Sequence, residues 1–185
     1  MAPADKRSRL LNAAVSLAYR DGFGATSLAD IASEAEVPLG NVYYYFKTKD
    51  EIGEAIVELR LSQLAAMLQR WDEEASPKNR LYRCIEGVLD NKKSLAERGC
   101  AVGTLCSELH KAGGTVATRA TEIFSRYLAW LETQFRALGK GKAARGHAVH
   151  LLSALQGISL LAHTFHDPSL VTMETGRLKG WVEGL

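Results

Sequence analysis

The sequence predicts an all-α protein. Three N-terminal helices occupy residues 1–47, the last two joined by a tight turn, and a larger helical part follows over residues 48–185, about nine helices in all. Three observations carry this. No segment sustains a period-two alternation of apolar and polar residues, and no Asn-Gly or Asp-Gly pair joins two β-branched runs. Three of the four prolines stand where helices should begin, in Val37-Pro38, Ser76-Pro77 and Asp167-Pro168; a serine or aspartate before the proline satisfies a free backbone N–H with its side-chain oxygen, and proline has no N–H to lose. Two capping boxes, Ser27-x-x-Asp30 and Thr48-x-x-Glu51, mark further starts.

Taken in order, the first helix runs from about Asp5 to Asp21 with Leu10, Leu11, Ala14, Leu17 and Ala18 as its apolar stripe, and Gly22 stops it. A short second helix opens at Ser27 and ends near Ala35, and a third covers Pro38 to Tyr45. A fourth leaves Thr48 and continues to Trp71. Further helices are expected near 77–97, 102–112, 115–138, 143–165 and 168–183. The basic stretch GKGKAARG, residues 139–146, reads as a flexible loop whose glycines fit neither phosphate-cradling pattern.

Composition bounds the function. A chain of 185 residues with 46% hydrophobic content can bury a sizeable core, and its net charge of +2 is too small to argue for nucleic acid in bulk. Any such partner must be inferred from local placement. Three cysteines (Cys84, Cys100, Cys106) are an odd number without the spacing of a secreted scaffold. The opening MAPADKRSRL lacks the apolar core of a signal peptide. A long uncharged run, residues 148–165, is marginally long enough for a bilayer, but its two histidines, glutamine and two serines fit a buried protein helix. The expectation is a reduced, cytoplasmic protein without a membrane partner.

Two short helices joined by a tight turn and backed by a longer one suggest a helix-turn-helix. Where the two helices approach most closely the first should carry a small residue, and Ala32 is so placed. Ten residues on, Val42 supplies the apolar residue facing back, and Ile31 and Phe46 extend the same internal face. Glu36 stands where the turn usually has glycine; a left-handed backbone there costs roughly 1 kcal/mol. The run VYYYF then sorts by angle. Val42 and Phe46 point nearly the same way with Tyr45 beside them, whereas Tyr43 and Tyr44 lie roughly 100° and 200° from Val42 and project outward with Gly40. Two outward phenols, a bare glycine and the following Lys47-Thr48-Lys49 suit a phosphate backbone, since hydroxyl and ammonium groups donate to phosphate and glycine permits close approach.

The stretch TSLADIASEAEVPLGNVYYYFKTKDEI resembles the DNA-binding signature of the TetR family of one-component bacterial transcriptional regulators, over roughly residues 8–55. GCAVGTLCSEL, residues 99–109, also resembles a segment of some members' regulatory domains. The resemblance implies that Leu39, Gly40 and Asn41 enter the major groove, that Tyr43, Tyr44 and Lys49 bind phosphates, and that Thr26 or Ser27 anchors the second helix to the backbone. Leu39 departs from the polar or basic residue frequent at its position and suits a thymine methyl.

The same resemblance makes residues 48–185 an effector-binding and dimerisation domain, with the last two long helices forming the dimer. In residues 143–165, Leu151, Leu152, Leu155, Ile158 and Ala162 surround Gly157, which would let two backbones approach closely. Trp181 and Val182 are dimer contacts or a cap on the core. Cys106, His110, Phe124, Tyr127 and Trp130 could line an apolar effector cavity or simply belong to the core. Cys100 and Cys106 flank an expected helix start, where a thiol tends toward thiolate; a redox or electrophile sensor is the alternative that follows. His147/His150 and His163/His166 have i, i+3 spacing, but the pairs stand about 24 Å apart along one helix, so no metal site is expected, nor any cofactor. No H-E-x-x-H or G-x-S-x-G motif favours the rival reading of a small helical enzyme. The expectation is therefore a homodimeric, non-enzymatic repressor that holds a near-palindromic double-stranded operator and is released by a small-molecule effector.

Overall fold

The computed structural model describes residues 3–185, and among them every regular element is helical. Ten α-helices follow one another: α1 (Pro3–Arg20), α2 (Leu28–Glu34), α3 (Leu39–Tyr45), α4 (Lys49–Asp72), α5 (Pro77–Asp90), α6 (Lys92–Arg98), α7 (Ala101–Ala112), α8 (Thr115–Ala137), α9 (Ala144–Phe165) and α10 (Pro168–Glu183), with one 3-10 turn at Gly141–Ala143. The all-α class is as predicted.

The start signals act as expected at two of the three prolines. Ser76 Oγ accepts from Asn79 N at 3.1 Å and Asp167 Oδ1 from Ser169 N at 2.8 Å, each ahead of a proline in the first helical turn. Pro38 instead sits at the N-cap of α3 and makes no side-chain cap bond. The single helix expected over 77–97 is two. At Asn91 the backbone leaves the helical region (φ −94°, ψ 10°) and the side-chain amide donates to Gly87 O at 2.7 Å, so α5 closes and α6 starts without any glycine or proline.

The chain forms two compact units, one made of the sequence up to Ser62 with Ala101–Ile123, the other of Gln63–Cys100 with Phe124–Leu185. α4 and α8 each contribute residues to both. In the first unit α1 packs on α2 and α7, and α2 on α3; Leu10, Leu17, Ile31, Val42, Phe46, Ile52 and Ile56 are almost fully buried. In the second, α10 packs on α5, α6 and α9. Leu81, Ile85, Leu131, Phe135, Leu151, Leu155 and Val182 form its main core, and Ala96, Ile158, Ala162 and Val171 a smaller cluster.

Candidate nucleic-acid interface

The interface is set up by how α2 begins. Ser27 caps it in an extended conformation: Oγ accepts from Asp30 N at 3.1 Å, and the Asp30 carboxylate accepts from Ser27 N at 2.8 Å and Ser27 Oγ at 2.6 Å. Those two bonds, the hydroxyl's first, hold the Asp30 carboxyl below its ordinary value. Thr26 is buried and its hydroxyl donates to Gly22 O at 2.8 Å, which leaves the exposed Ser27 nearer to any ligand.

The turn after α2 takes the conformation anticipated at Glu36, with φ 51°. Val37 N donates to Ala32 O at 2.9 Å across it. Arg9 of α1 reaches 26 residues along the chain to clamp this turn: its guanidinium bonds Ala35 O, and at 3.4 and 3.3 Å Glu36 O and Glu36 Oε2. No local pattern in the sequence announced that contact.

α3 then divides its residues as the angular argument required. Val42 and Phe46 are 0% and 2% exposed, whereas Tyr43 and Tyr44 are 52% and 79% exposed. Tyr45 is half-buried and its ring meets Tyr44 edge-on at 4.9 Å. Leu39 is exposed, Asn41 is half-buried, and a Cβ at Gly40 would meet nothing within 4 Å. Arg7 lies over the Phe46 ring at 5.1 Å, a second basic residue of α1 near α3 that the sequence reading left unassigned.

The connection to α4 carries the lysines. Lys47 is exposed, and its backbone N–H donates to Glu51 Oε2 at 2.8 Å while Glu51 N donates to Thr48 Oγ1 at 3.2 Å. The predicted box therefore closes one residue early, on Lys47 rather than Thr48. Lys49 turns toward the α1–α2 loop, donating to Gly24 O at 2.8 Å with its ammonium 5.0 Å from the centre of the Phe23 ring. One short helix thus presents two phenol hydroxyls, a bare glycine and an amide side chain, flanked by ammonium and guanidinium groups. Such a face can donate to phosphate oxygens and to base edges together.

This three-helix arrangement is a helix-turn-helix, a unit that DNA-binding regulators use. Comparison with known proteins gives the same answer more narrowly. The sequence model for bacterial regulatory proteins of the tetR family matches residues 10–56. The HTH-type transcriptional repressor DhaR of a Mycobacterium species is 26% identical over 130 residues, 69% of this chain and 64% of that protein. The nicotine-responsive transcriptional repressor HdnoR of Paenarthrobacter nicotinovorans is 39% identical over 66 residues, 36% of this chain and 34% of that one. A TetR-family regulator from Agrobacterium tumefaciens superposes with a TM-score of 0.87 at 19% identity, covering 97% of this chain and 98% of its own, a likeness of fold. Residues 10–56 of the chain thus match the DNA-binding domain of the TetR family of bacterial regulatory proteins, and over its length the chain is similar to members of that family.

The other expected site residues are scattered differently. Cys106 and His110 belong to the first unit and Phe124, Tyr127 and Trp130 to the second. Cys106 is buried, its thiol donating to Ala120 O at 3.6 Å, while His110 is exposed with Nδ1 at 2.8 Å from Cys106 O and Nε2 at 3.1 Å from Thr121 Oγ1. In the second unit the Trp71 ring lies tilted against Tyr127 at 6.2 Å and Trp130 at 5.5 Å, Trp130 Nε1 donates to Asp72 Oδ1 at 2.9 Å, and the Tyr127 hydroxyl pairs with Cys84 Sγ at 3.0 Å. Burial pushes the Cys84 thiol up to about 12, and burial first, then Cys84, raises the Tyr127 phenol. Phe124 packs against the main core of the second unit. A cleft of about 510 Å³ in the first unit is lined by Leu17, Arg20, Asp21, Thr26, Asp30 and Glu34 among others, and by none of the five residues expected to line a pocket.

On the last two helices, Leu152, Leu155, Ile158, Ala162 and Val182 are buried within the chain's own core. Trp181 is half-buried among the rings of Phe135, His147 and His150 at 5.7, 5.6 and 4.8 Å. Gly157 is exposed, and the apolar side chains around it that face outward are Val149, Leu160, Leu161 and Phe165, with Met173 on α10. A partner could touch those, not the inward set. Gly141–Phe165 is long and apolar enough to cross a membrane by length and composition, but one side of it is filled by its own chain. Among the described residues no three His, Cys, Asp or Glu side chains group as metal ligands.

Proposed function

We propose that the protein is a homodimeric, effector-responsive repressor of a near-palindromic operator. α3 lies in the major groove with Leu39, Gly40 and Asn41 toward the bases; Tyr43, Tyr44, Lys47 and Lys49 hold phosphates, and Ser27, backed by Thr26, anchors the start of α2. The observation that carries this is the split of α3, two core residues fully buried and two tyrosines left open on the opposite side. Tyr44 meets the Tyr45 ring only edge-on, and Tyr43 and Tyr44 each keep more than half of their surface open to a ligand. The names of DhaR and HdnoR, both repressors, support the direction of regulation.

The second copy packs on the outward face of α9 and α10, where Val149, Gly157, Leu160, Leu161 and Phe165 recur at helical spacing and Met173, Gly176 and Gly180 continue it. Glycines with open space around their Cβ positions let backbones approach closely. A small effector acts by linkage, binding better to a conformer whose two recognition helices are wrongly spaced. The thiol-based alternative is confined to Cys100, half-exposed just before α7, because a buried Cys106 that donates its proton to a carbonyl does not suit thiolate chemistry.

The experiment is selection of duplexes from a random pool by the purified protein at moderate salt. Enrichment of a near-palindrome with half-sites about one helical turn apart is expected. Enrichment of a single asymmetric half-site would remove the dimer, and retention of duplex without any enrichment would remove sequence-specific readout by α3.

A further inference from the structure

We propose that Glu108 of α7 is a positioning residue for DNA binding, acting on Lys49 through the backbone of Gly24. The inference rests on the reading of Lys49 as a phosphate contact. All the groups concerned lie in the first compact unit.

The loop between α1 and α2, Asp21-Gly22-Phe23-Gly24-Ala25, is gripped from two sides. Gly24 N donates to Glu108 Oε2 at 2.7 Å, and Gly24 O accepts from Lys49 Nζ at 2.8 Å. The carboxylate lies close against the glycines of the loop: a Cβ at Gly22, which holds φ +92°, would crowd Glu108 Oε1 at 2.9 Å, and one at Gly24 would be in ordinary contact with Oε2 at 3.6 Å. Between the two glycines Phe23 is pinned. Its ring lies where a Cβ on Gly53 of α4 would come within 3.1 Å, and its face carries the Lys49 ammonium at 5.0 Å. Two helices, α4 and α7, therefore fix one five-residue loop, and that loop fixes one lysine.

The consequence is preorganisation. A free lysine loses much of its rotamer entropy when it orders on a phosphate. Here the Gly24 carbonyl and the Phe23 ring have already ordered it, and an ammonium with one donor on Gly24 keeps two for a phosphate oxygen. Without an acceptor from α7, the Gly24 N–H turns to water and the carbonyl that holds Lys49 loses its fixed direction. Charge alone says the opposite. A carboxylate beside a DNA-binding surface repels phosphate, so deleting it should strengthen binding.

That difference in sign defines the test. The full chain and its variants are titrated against a labelled random-sequence 30-bp duplex over a range of salt, with thermal melts as a check on folding. Glu108→Gln loses the charge and keeps an acceptor at the same reach; Glu108→Asp keeps the charge and retreats by one methylene. Glu108→Gln is expected to bind as well as the parent or better. Glu108→Asp and Glu108→Ala should bind about three- to tenfold more weakly with a salt slope reduced by about 1.8, the value of one phosphate contact in each of two copies. Lys49→Ala should show the same reduction, and Lys49→Ala with Glu108→Ala should be no weaker than Lys49→Ala alone. If Lys49→Ala loses slope while Glu108→Asp does not, the positioning role is overturned and the lysine's contact stands. If Lys49→Ala leaves the slope unchanged, the reading of Lys49 itself fails.

Discussion

Tyr43 and Tyr44 sit one and two residues from a side chain that is wholly buried, and that short displacement decides what each can do. Their hydroxyls carry no base information, so Tyr43→Phe should weaken every duplex alike, by about 1 kcal/mol for one lost hydrogen bond. Asn41→Ala should instead flatten base preference at one position, costing about 1–3 kcal/mol on the preferred sequence only. Parallel titrations on preferred and random duplexes separate the two, and equal losses on both from Asn41→Ala would take it off the base edges. A second single-residue effect belongs to stability. The Cys84 thiol is raised from 9.0 to about 12, chiefly by burial. The unfolded chain therefore releases this proton first, and the stabilisation is complete below pH 9 and is lost as pH rises toward 12. The loss is on the order of 4 kcal/mol, and the raised Tyr127 phenol beside it adds in the same direction. Cys84→Ala should flatten the alkaline limb of a urea-midpoint profile; an unchanged limb would place the proton release elsewhere.

At the scale of elements, the turn between α2 and α3 shows a sequence departure made tolerable by a distant side chain. Glu36 is left-handed at φ 51°, and Arg9 bonds both carbonyls of the turn and the Glu36 carboxylate. Arg9→Ala should destabilise the protein by about 1–2 kcal/mol. Glu36→Gly should be nearly neutral, since relief of roughly 1 kcal/mol of strain is offset by glycine's greater freedom in the unfolded chain. Denaturant midpoints measure both, and a clear loss in Glu36→Gly would show that its exposed pair with Arg9 outweighs the strain. The helices themselves were legible wherever a cap, a proline or a glycine marked an end, as at Ser27, Ser76, Asp167 and Gly22. The break at Asn91 was not, because its signal is a side-chain amide returning to Gly87 O, a bond that a polar run such as Asp90-Asn91-Lys92-Lys93 does not require. α9 was legible as a helix but not as an orientation. It is apolar nearly all round, so periodicity could not separate Leu155, in the core, from Leu160, 65% exposed. The outward-facing groups of α3 followed from angle alone, whereas Arg9, Glu108 and the inward turn of Lys49 depend on contacts across 25 residues or more.

For the whole molecule, the outward face of α9 and α10 and the exposed groups of α3 are coupled in the proposed function, because a palindrome is read only if two copies are held in fixed register. Single apolar residues on a surface are ordinary, but Leu160, Leu161 and Phe165 are 65%, 47% and 67% exposed within six residues of one helix, and a contiguous patch of that kind marks an association surface. Leu160→Glu places a carboxylate in the middle of it without touching the chain's own core, so folding should survive with a melting temperature close to that of the parent at low protein concentration. The parent is expected to sediment as a dimer and the variant as a monomer. It should also keep duplex binding of a weaker kind, with about half the parent's salt slope, since each copy brings its own set of phosphate contacts. A monomeric variant that retained the full slope would mean that one copy suffices for DNA binding; a dimeric one would move the interface off this face.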